Sequence, residues 1–183
     1  MTIIFSKRED TKFLSNIWKN IPSINLIEIS KNNFDKELIN NALSKETDTI
    51  ILCGHGTSQG LLTPDFDDLI VHQYNAHLLK DKTCICIWCY ANEFMEKYDL
   101  HGFTTSMFIS DEDEAYDNMC YDISSKYNGN VDIIQKENKL FAERINKLLI
   151  NKVDISKWCD ELKNQADMSI DFVEFNYNGL IIR

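Results

Sequence analysis

Between Thr47 and Cys53 the chain reads TDTIILC, and between Thr83 and Trp88 it reads TCICIW. Each run is nearly unbroken in apolar residues and short enough for a strand. A strand that alternates apolar and polar residues has one wet face. A strand without alternation must be covered on both faces, which is the condition of a central strand in a parallel sheet. Parallel neighbours need a crossover between them, so helices must lie between such strands. These two segments therefore constrain the fold more than any other part of the sequence.

The surrounding patterns agree. Ile3–Ser6 reads as a first strand and Asn25–Ser30 (NLIEIS) as a second. The stretch Glu9–Asn20 carries Phe13, Leu14, Ile17 and Trp18 at helical spacing, and Phe34, Leu38, Ile39, Ala42 and Leu43 mark another amphipathic helix. From Thr57 to Asp81 the pattern is weak and predicts a surface excursion around Pro64, then a short helix near Tyr74–Leu79. Thr104–Ile109 (TTSMFI) reads as a third strand of the series. Ser110 then opens a helix in the manner of a capping box, with Asp113 three residues on; Ala115, Met119 and Ile123 fall on its inner face. Two helices follow, one through Phe141, Ile145, Leu148 and Leu149, the other through Ile155, Trp158, Cys159 and Leu162. The end, FVEFNY-NG-LIIR, reads as a strand, an Asn178-Gly179 turn and a short partner strand. Strands alternating with helices predict a three-layer α/β/α sandwich with a mostly parallel central sheet. The 183 residues suit one domain, 1–183, with no repeat or linker inside it.

Charge narrows the partners. With 29 acidic against 19 basic side chains the formal net charge is −10. Such a surface repels a phosphate backbone, so nucleic acid is not expected as a partner. No apolar stretch approaches the roughly 18 residues of a membrane span, and no membrane partner is expected. The first residues, MTIIFS, lack the basic start and long apolar core of a signal peptide, which predicts a cytoplasmic protein. Its six cysteines are then read as free thiols rather than disulfides.

Open parallel sheets carry their sites at the carboxyl ends of the strands. Two such ends here bear reactive side chains, His55 after Cys53-Gly54 and Cys89 after Trp88. A thiol is a poor nucleophile until a base takes its proton, and a histidine on a neighbouring strand end, about 4.8 Å away, is within reach to do so. The glycines that flank His55 offer backbone N–H groups for an oxyanion. Histidine between two glycines has few side chains to pack against, which favours a functional reading over a core one. Cys84 and Cys86 share one face of their strand by period two and read as small core residues. Cys86-Ile87-Trp88-Cys89 is a C-x-x-C, but its first cysteine lies inside the strand, whereas a thioredoxin-like site puts it at a helix start. No second spaced pair is present for zinc. Gly54-x-Gly56-x-x-x-Gly60 has neither the spacing nor the lysine of a phosphate loop. No metal and no cofactor are expected. His72, His77 and His101 read as surface or structural residues, and Tyr90 and Glu93 as possible pocket walls.

A strand followed by His-Gly, then a strand followed by Cys and a small residue, resembles the caspase-like cysteine peptidases. That group includes caspases, clostripain, gingipain, legumain, separase and the CHAT domains. The matching segments are Cys53-Gly54-His55-Gly56, Ile87-Trp88-Cys89-Tyr90-Ala91 and, in the separase and CHAT manner, Met107 to Ala115 (MFISDEDEA). The resemblance implies a caspase-like fold and a cysteine endopeptidase acting on a peptide or protein substrate. In it His55 is the general base and Cys89 the nucleophile. The amides of Gly56 and Cys89 form the oxyanion hole, and Asp111 or Asp113 selects a basic residue before the scissile bond. The His-to-Cys separation is shorter than the roughly 50 residues of caspases. The caspase sequence Gln-Ala-Cys-x-Gly is replaced by Ile-Trp-Cys-Tyr-Ala, and the short stretch from Cys89 to Thr104 leaves little room for a cleavable linker. The alternative is an inactive module on the same fold that serves as a protein-interaction domain. A third reading is a small-molecule enzyme on a flavodoxin-like sheet.

Overall fold

The computed structural model describes residues 1–119 and 131–183, with the side chains of Met119 and Val131 left aside. Its centre is a six-strand sheet. Strands β1 (Thr2–Ser6), β2 (Asn25–Ile29), β3 (Thr49–Cys53), β7 (Thr83–Ile87), β8 (His101–Thr105) and β9 (Leu180–Ile182) lie in the order β2-β1-β3-β7-β8-β9. The first five run parallel and β9 runs antiparallel beside β8. The order reverses between β1 and β3, as at the switch point of flavodoxin-like sheets.

Both faces of the sheet are covered, as the unalternating runs demand. Ile3, Phe5, Ile51, Cys53, Ile85, Ile87 and Phe103 point into one apolar cluster. The residues between them, Ile4, Ile50, Leu52, Cys84 and Cys86, point into the other. The second cluster is closed by α1 (Lys36–Lys45) through Ile39 and Leu43 and by α2 (Ala91–Lys97) through Phe94 and Met95. The first is closed by α3 (Glu112–Met119), α4 (Val131–Ile150), α5 (Trp158–Gln165) and α6 (Asp171–Asn178), with Ala115, Phe141, Trp158 and Tyr177 among the contributors.

Several expectations are corrected. The segment after β1 is a 3-10 helix, Lys12–Trp18, whose Leu14, Ile17 and Trp18 still pack on the core. The weak stretch after Thr57 is not merely an excursion. It holds a small antiparallel sheet of β4 (Gly56–Thr57), β5 (Gly60–Leu62) and β6 (Leu69–Val71), with Leu61, Ile70 and Val71 buried. A 3-10 turn at Ala76–Leu79 follows.

The third strand of the series sits three residues earlier than TTSMFI, because beyond Thr105 the backbone finds other partners. Ser106 N–H donates to Gly179 O, and the Ile109 N–H and C=O are both taken by the buried side-chain amide of Asn176, at 2.7 and 2.9 Å. The expected terminal hairpin is replaced by α6 and β9. A strand would put Phe172 on the face opposite Val173 and Tyr177, whereas a helix turns all three, with Asn176, to one side. Ile123, expected on the inner face of the helix after Ser110, lies outside the described residues, as does the side chain of Met119. Among the described residues no helix is long and apolar enough to cross a membrane.

Candidate active site

The register of the central pair sets the site. In β3 and β7, Cys53 is paired with Ile87, and Gly54 N–H adds one more bond to Ile87 O at 3.1 Å. His55 and Cys89 each stand two residues past that pair, so the two side chains leave the sheet at the same level. Gly54 is required here. Its φ is +144°, and a Cβ on it would lie 2.6 Å from Ser6 Cβ at the end of β1. The turn after β7 is fixed by Thr105, whose hydroxyl accepts from Trp88 N–H at 3.2 Å and donates to Trp88 O at 2.8 Å. Tyr90 then takes a left-handed conformation, φ 65°, at about 1 kcal/mol or more for a residue with a Cβ, and leads into α2.

His55 and Cys89 line one narrow cleft with Thr11, Phe13, Gly54 and Phe108. Its cavity of about 20 Å³ accommodates about one water molecule. The thiol of Cys89 donates to Phe108 O at 3.5 Å and lies 4.0 Å from Glu114 Oε1. Burial, reinforced by the nearby Glu114 and Asp111 carboxylates, pushes this thiol up to about 12. A thiol so raised is mostly protonated near neutral pH and must lose its proton before it can act as a nucleophile. Glu114 is held in turn by Ser110, whose N–H and O–H donate to Oε2 at 2.6 and 2.8 Å. Burial of Glu114 outweighs these bonds and raises its carboxyl above the ordinary glutamate range.

On the opposite side, His55 Nε2 lies 3.1 Å from Asp10 Oδ2. The contact is close but not aligned as a hydrogen bond, and Nε2 has no hydrogen-bond partner among the described residues. The edge of the Phe66 ring meets the imidazole at 5.2 Å. Partial burial pushes the Asp10 carboxyl up, but His55 and the Arg8 guanidinium outweigh it and hold the carboxyl below its usual range.

The other expected site residues are arranged less directly. Gly56 is outside the cleft wall and packs on the Trp88 indole; a Cβ there would come within 2.1 Å of the ring. Asp111 caps α3, its Oδ1 accepting from Glu114 N–H at 2.8 Å, so the cap begins one residue later than Ser110 and pairs with Glu114 rather than Asp113. Asp111 and Asp113 line a wider groove that shares Phe13 and Ser110 with the cleft and also carries Arg8, Asp10, Lys12 and Lys139. Glu93 is exposed, and neither it nor Tyr90 reaches the cleft wall. Cys84 and Cys86 are fully buried in the sheet. His72 accepts from Tyr74 N–H in a turn. Among the described residues no three metal-binding side chains are gathered together.

Two acids beside the pair, Asp10 and Glu114, are not among the site residues expected from the sequence. Glu114 was visible as the residue three after an Asp cap. Asp10 carried no local signal, because its nearness to His55 follows from β1 lying next to β3. No family model, curated protein or solved structure matches this chain.

Proposed function

We propose that the chain is a caspase-like cysteine endopeptidase with Cys89 as nucleophile and His55 as general base, built on a three-layer α/β/α sandwich. The observation that carries the reading is the level placement of the two side chains in one cleft, at the carboxyl ends of adjacent central strands. Covered faces on both sides of the sheet support the layered fold.

In the reaction the Cys89 proton passes to His55 and the sulfur attacks the peptide carbonyl carbon. The oxyanion is held by backbone N–H groups. The resemblance assigns this role to the amides of Gly56 and Cys89, while Gly54 N–H is already bonded to Ile87 O. The imidazolium then gives its proton to the leaving amine, and a thioester remains. Water, deprotonated by His55, attacks that thioester, and the sulfur leaves as thiol. Glu114 beside the sulfur, with Asp111 and Asp113 in the adjoining groove, favours a substrate with a basic residue before the scissile bond. Cys53, Cys84, Cys86, Cys89 and Cys159 are free thiols, which fits a reducing cytoplasm.

The test is covalent labelling with acyloxymethyl-ketone probes bearing Lys, Arg or Asp. Labelling of the wild type by the basic probes, lost in Cys89→Ala, is expected. Equal labelling of both proteins removes Cys89 as nucleophile, and equal reaction of the Asp probe removes the basic preference.

One observation favours a second reading, an inactive module that binds a protein partner: the thiol rests on Phe108 O with the Glu114 carboxylate 4.0 Å away, and both the burial and the charge disfavour a thiolate. A peptide library left uncut, with partner capture unaffected by His55→Ala and Cys89→Ala, would select that reading.

A further inference from the structure

We propose that Asp10, held in place by Arg8, is the positioning carboxylate of His55, so that the site is a three-residue relay across β1, β3 and β7 rather than a dyad. The inference rests on the thiol–imidazole reading above. Sheet order supplies the geometry. β3 lies between β1 and β7, so the loop after β1 reaches His55 from the side away from Cys89. There Asp10 Oδ2 stands 3.1 Å from Nε2.

A lone, partly exposed Arg–Asp pair contributes little and would carry nothing. This pair belongs to a closed ring of contacts. Arg8 Nε donates to both oxygens of Asp10, at 3.4 and 3.3 Å. Arg8 Nη1 donates to Pro64 O at 2.7 Å. The same guanidinium lies over the Phe66 ring, 4.5 Å from its centre, and Phe66 meets the imidazole edge-on. Arg8 N–H donates to Thr11 Oγ1, and that hydroxyl donates to Ser6 O at the end of β1. Each side of the ring thus bears on another, and the imidazole meets both the carboxylate and the Phe66 ring.

The chemistry follows from the nitrogen that is held. With Nε2 facing Asp10, Nδ1 is the nitrogen that takes the proton from Cys89. The imidazolium so formed has a carboxylate beside it, which remains ionised throughout. A second effect is orientation, since a ring kept in one tautomer presents its free electron pair to the thiol.

The test uses ring ¹⁵N shifts of His55, which report the tautomer, in the full chain and in Asp10→Asn. The tautomer with hydrogen on Nε2 is expected in the wild type, and a shift toward the Nδ1–H form in the variant. For a basic peptide substrate kcat should fall at least about a hundredfold in Asp10→Asn with KM within a few fold, and Asp10→Glu should recover part of the loss. An unchanged tautomer in Asp10→Asn overturns the proposal.

If Asp10→Asn does not fold, the carboxyl ¹³C titration of Asp10 decides. It must move upward in His55→Gln, and no movement overturns the proposal equally. The two readings fail separately. A wild type without turnover or labelling, but with the tautomer shift, ends the peptidase reading and leaves Asp10 as the partner of His55. Cys89-dependent turnover with no effect of Asp10→Asn ends the relay alone.

Discussion

Glu114→Gln should make Cys89 about ten times more reactive toward an alkylating agent near neutral pH. The thiol stands at about 12 against an ordinary 9.0, which leaves roughly a thousandth of the usual thiolate at any pH below both. Burial is the largest cause and the Glu114 carboxylate the next. A unit charge 4.0 Å from the sulfur would cost the thiolate about 4 kcal/mol at an effective dielectric of 20. That is an upper limit, because water reaches part of both side chains. With about 1.4 kcal/mol of it surviving the screening, removing the charge gives a tenfold gain in thiolate. Glutamine keeps an oxygen to accept from Ser110, so the start of α3 should hold its shape.

Iodoacetamide modification of Cys89, followed peptide by peptide by mass spectrometry across a pH series, separates it from the chain's other cysteines. The gain must shrink as the pH falls and Glu114 takes up its proton. Since that carboxyl is raised above the ordinary 4.5, the convergence should begin at a higher pH than for an exposed glutamate. A variant no faster than wild type near neutral pH, or one whose advantage persists on acidification, would refute the electrostatic account of the quiet thiol.

Three further outcomes are expected. Gly56→Ala forces a methyl group to within 2.1 Å of the Trp88 ring and should lower stability by about 1–3 kcal/mol, several degrees in a thermal melt. Asn176→Ala leaves the buried N–H and C=O of Ile109 without partners, at a cost of about 2 kcal/mol or more by denaturant unfolding. Asp10→Asn should lose under about 1 kcal/mol near neutral pH. Because the folded carboxyl is held below its unfolded value of 3.8, that contribution is present above about pH 4 and vanishes on further acidification. Unfolding curves of variant and wild type should therefore coincide near pH 2.

What was legible in the sequence was the part that burial dictates locally. TIILC and TCICI declare central strands because nothing polar interrupts them, and strand ends declare where His55 and Cys89 must emerge. The parts that failed depend on partners elsewhere in the chain. TTSMFI has the composition of a strand, but its last residue, Ile109, is bonded to Asn176, 67 residues on. FVEFNY alternates well enough for a strand until Phe172, Val173 and Tyr177 are seen to face one core together. The strands from Gly56 to Val71 span two or three residues each, too short for any period to show. Asp10 gained its place only through the reversal of strand order between β1 and β3, which no local pattern encodes.

The Asn176 amide has a consequence for how this chain could be divided. Arg8, Asp10, His55, Cys89 and Glu114 all precede Met119, so a shortened protein could keep every one of them. Yet the carbonyl that receives the Cys89 thiol belongs to Phe108, one residue before the backbone unit that Asn176 grips from α6. A fragment ending ahead of α6 would retain the reactive groups and lose the wall against which the sulfur rests. The two halves, expressed apart, should regain that wall only on reassociation, which makes the chain a candidate for a split reporter whose output is the protection of a single thiol.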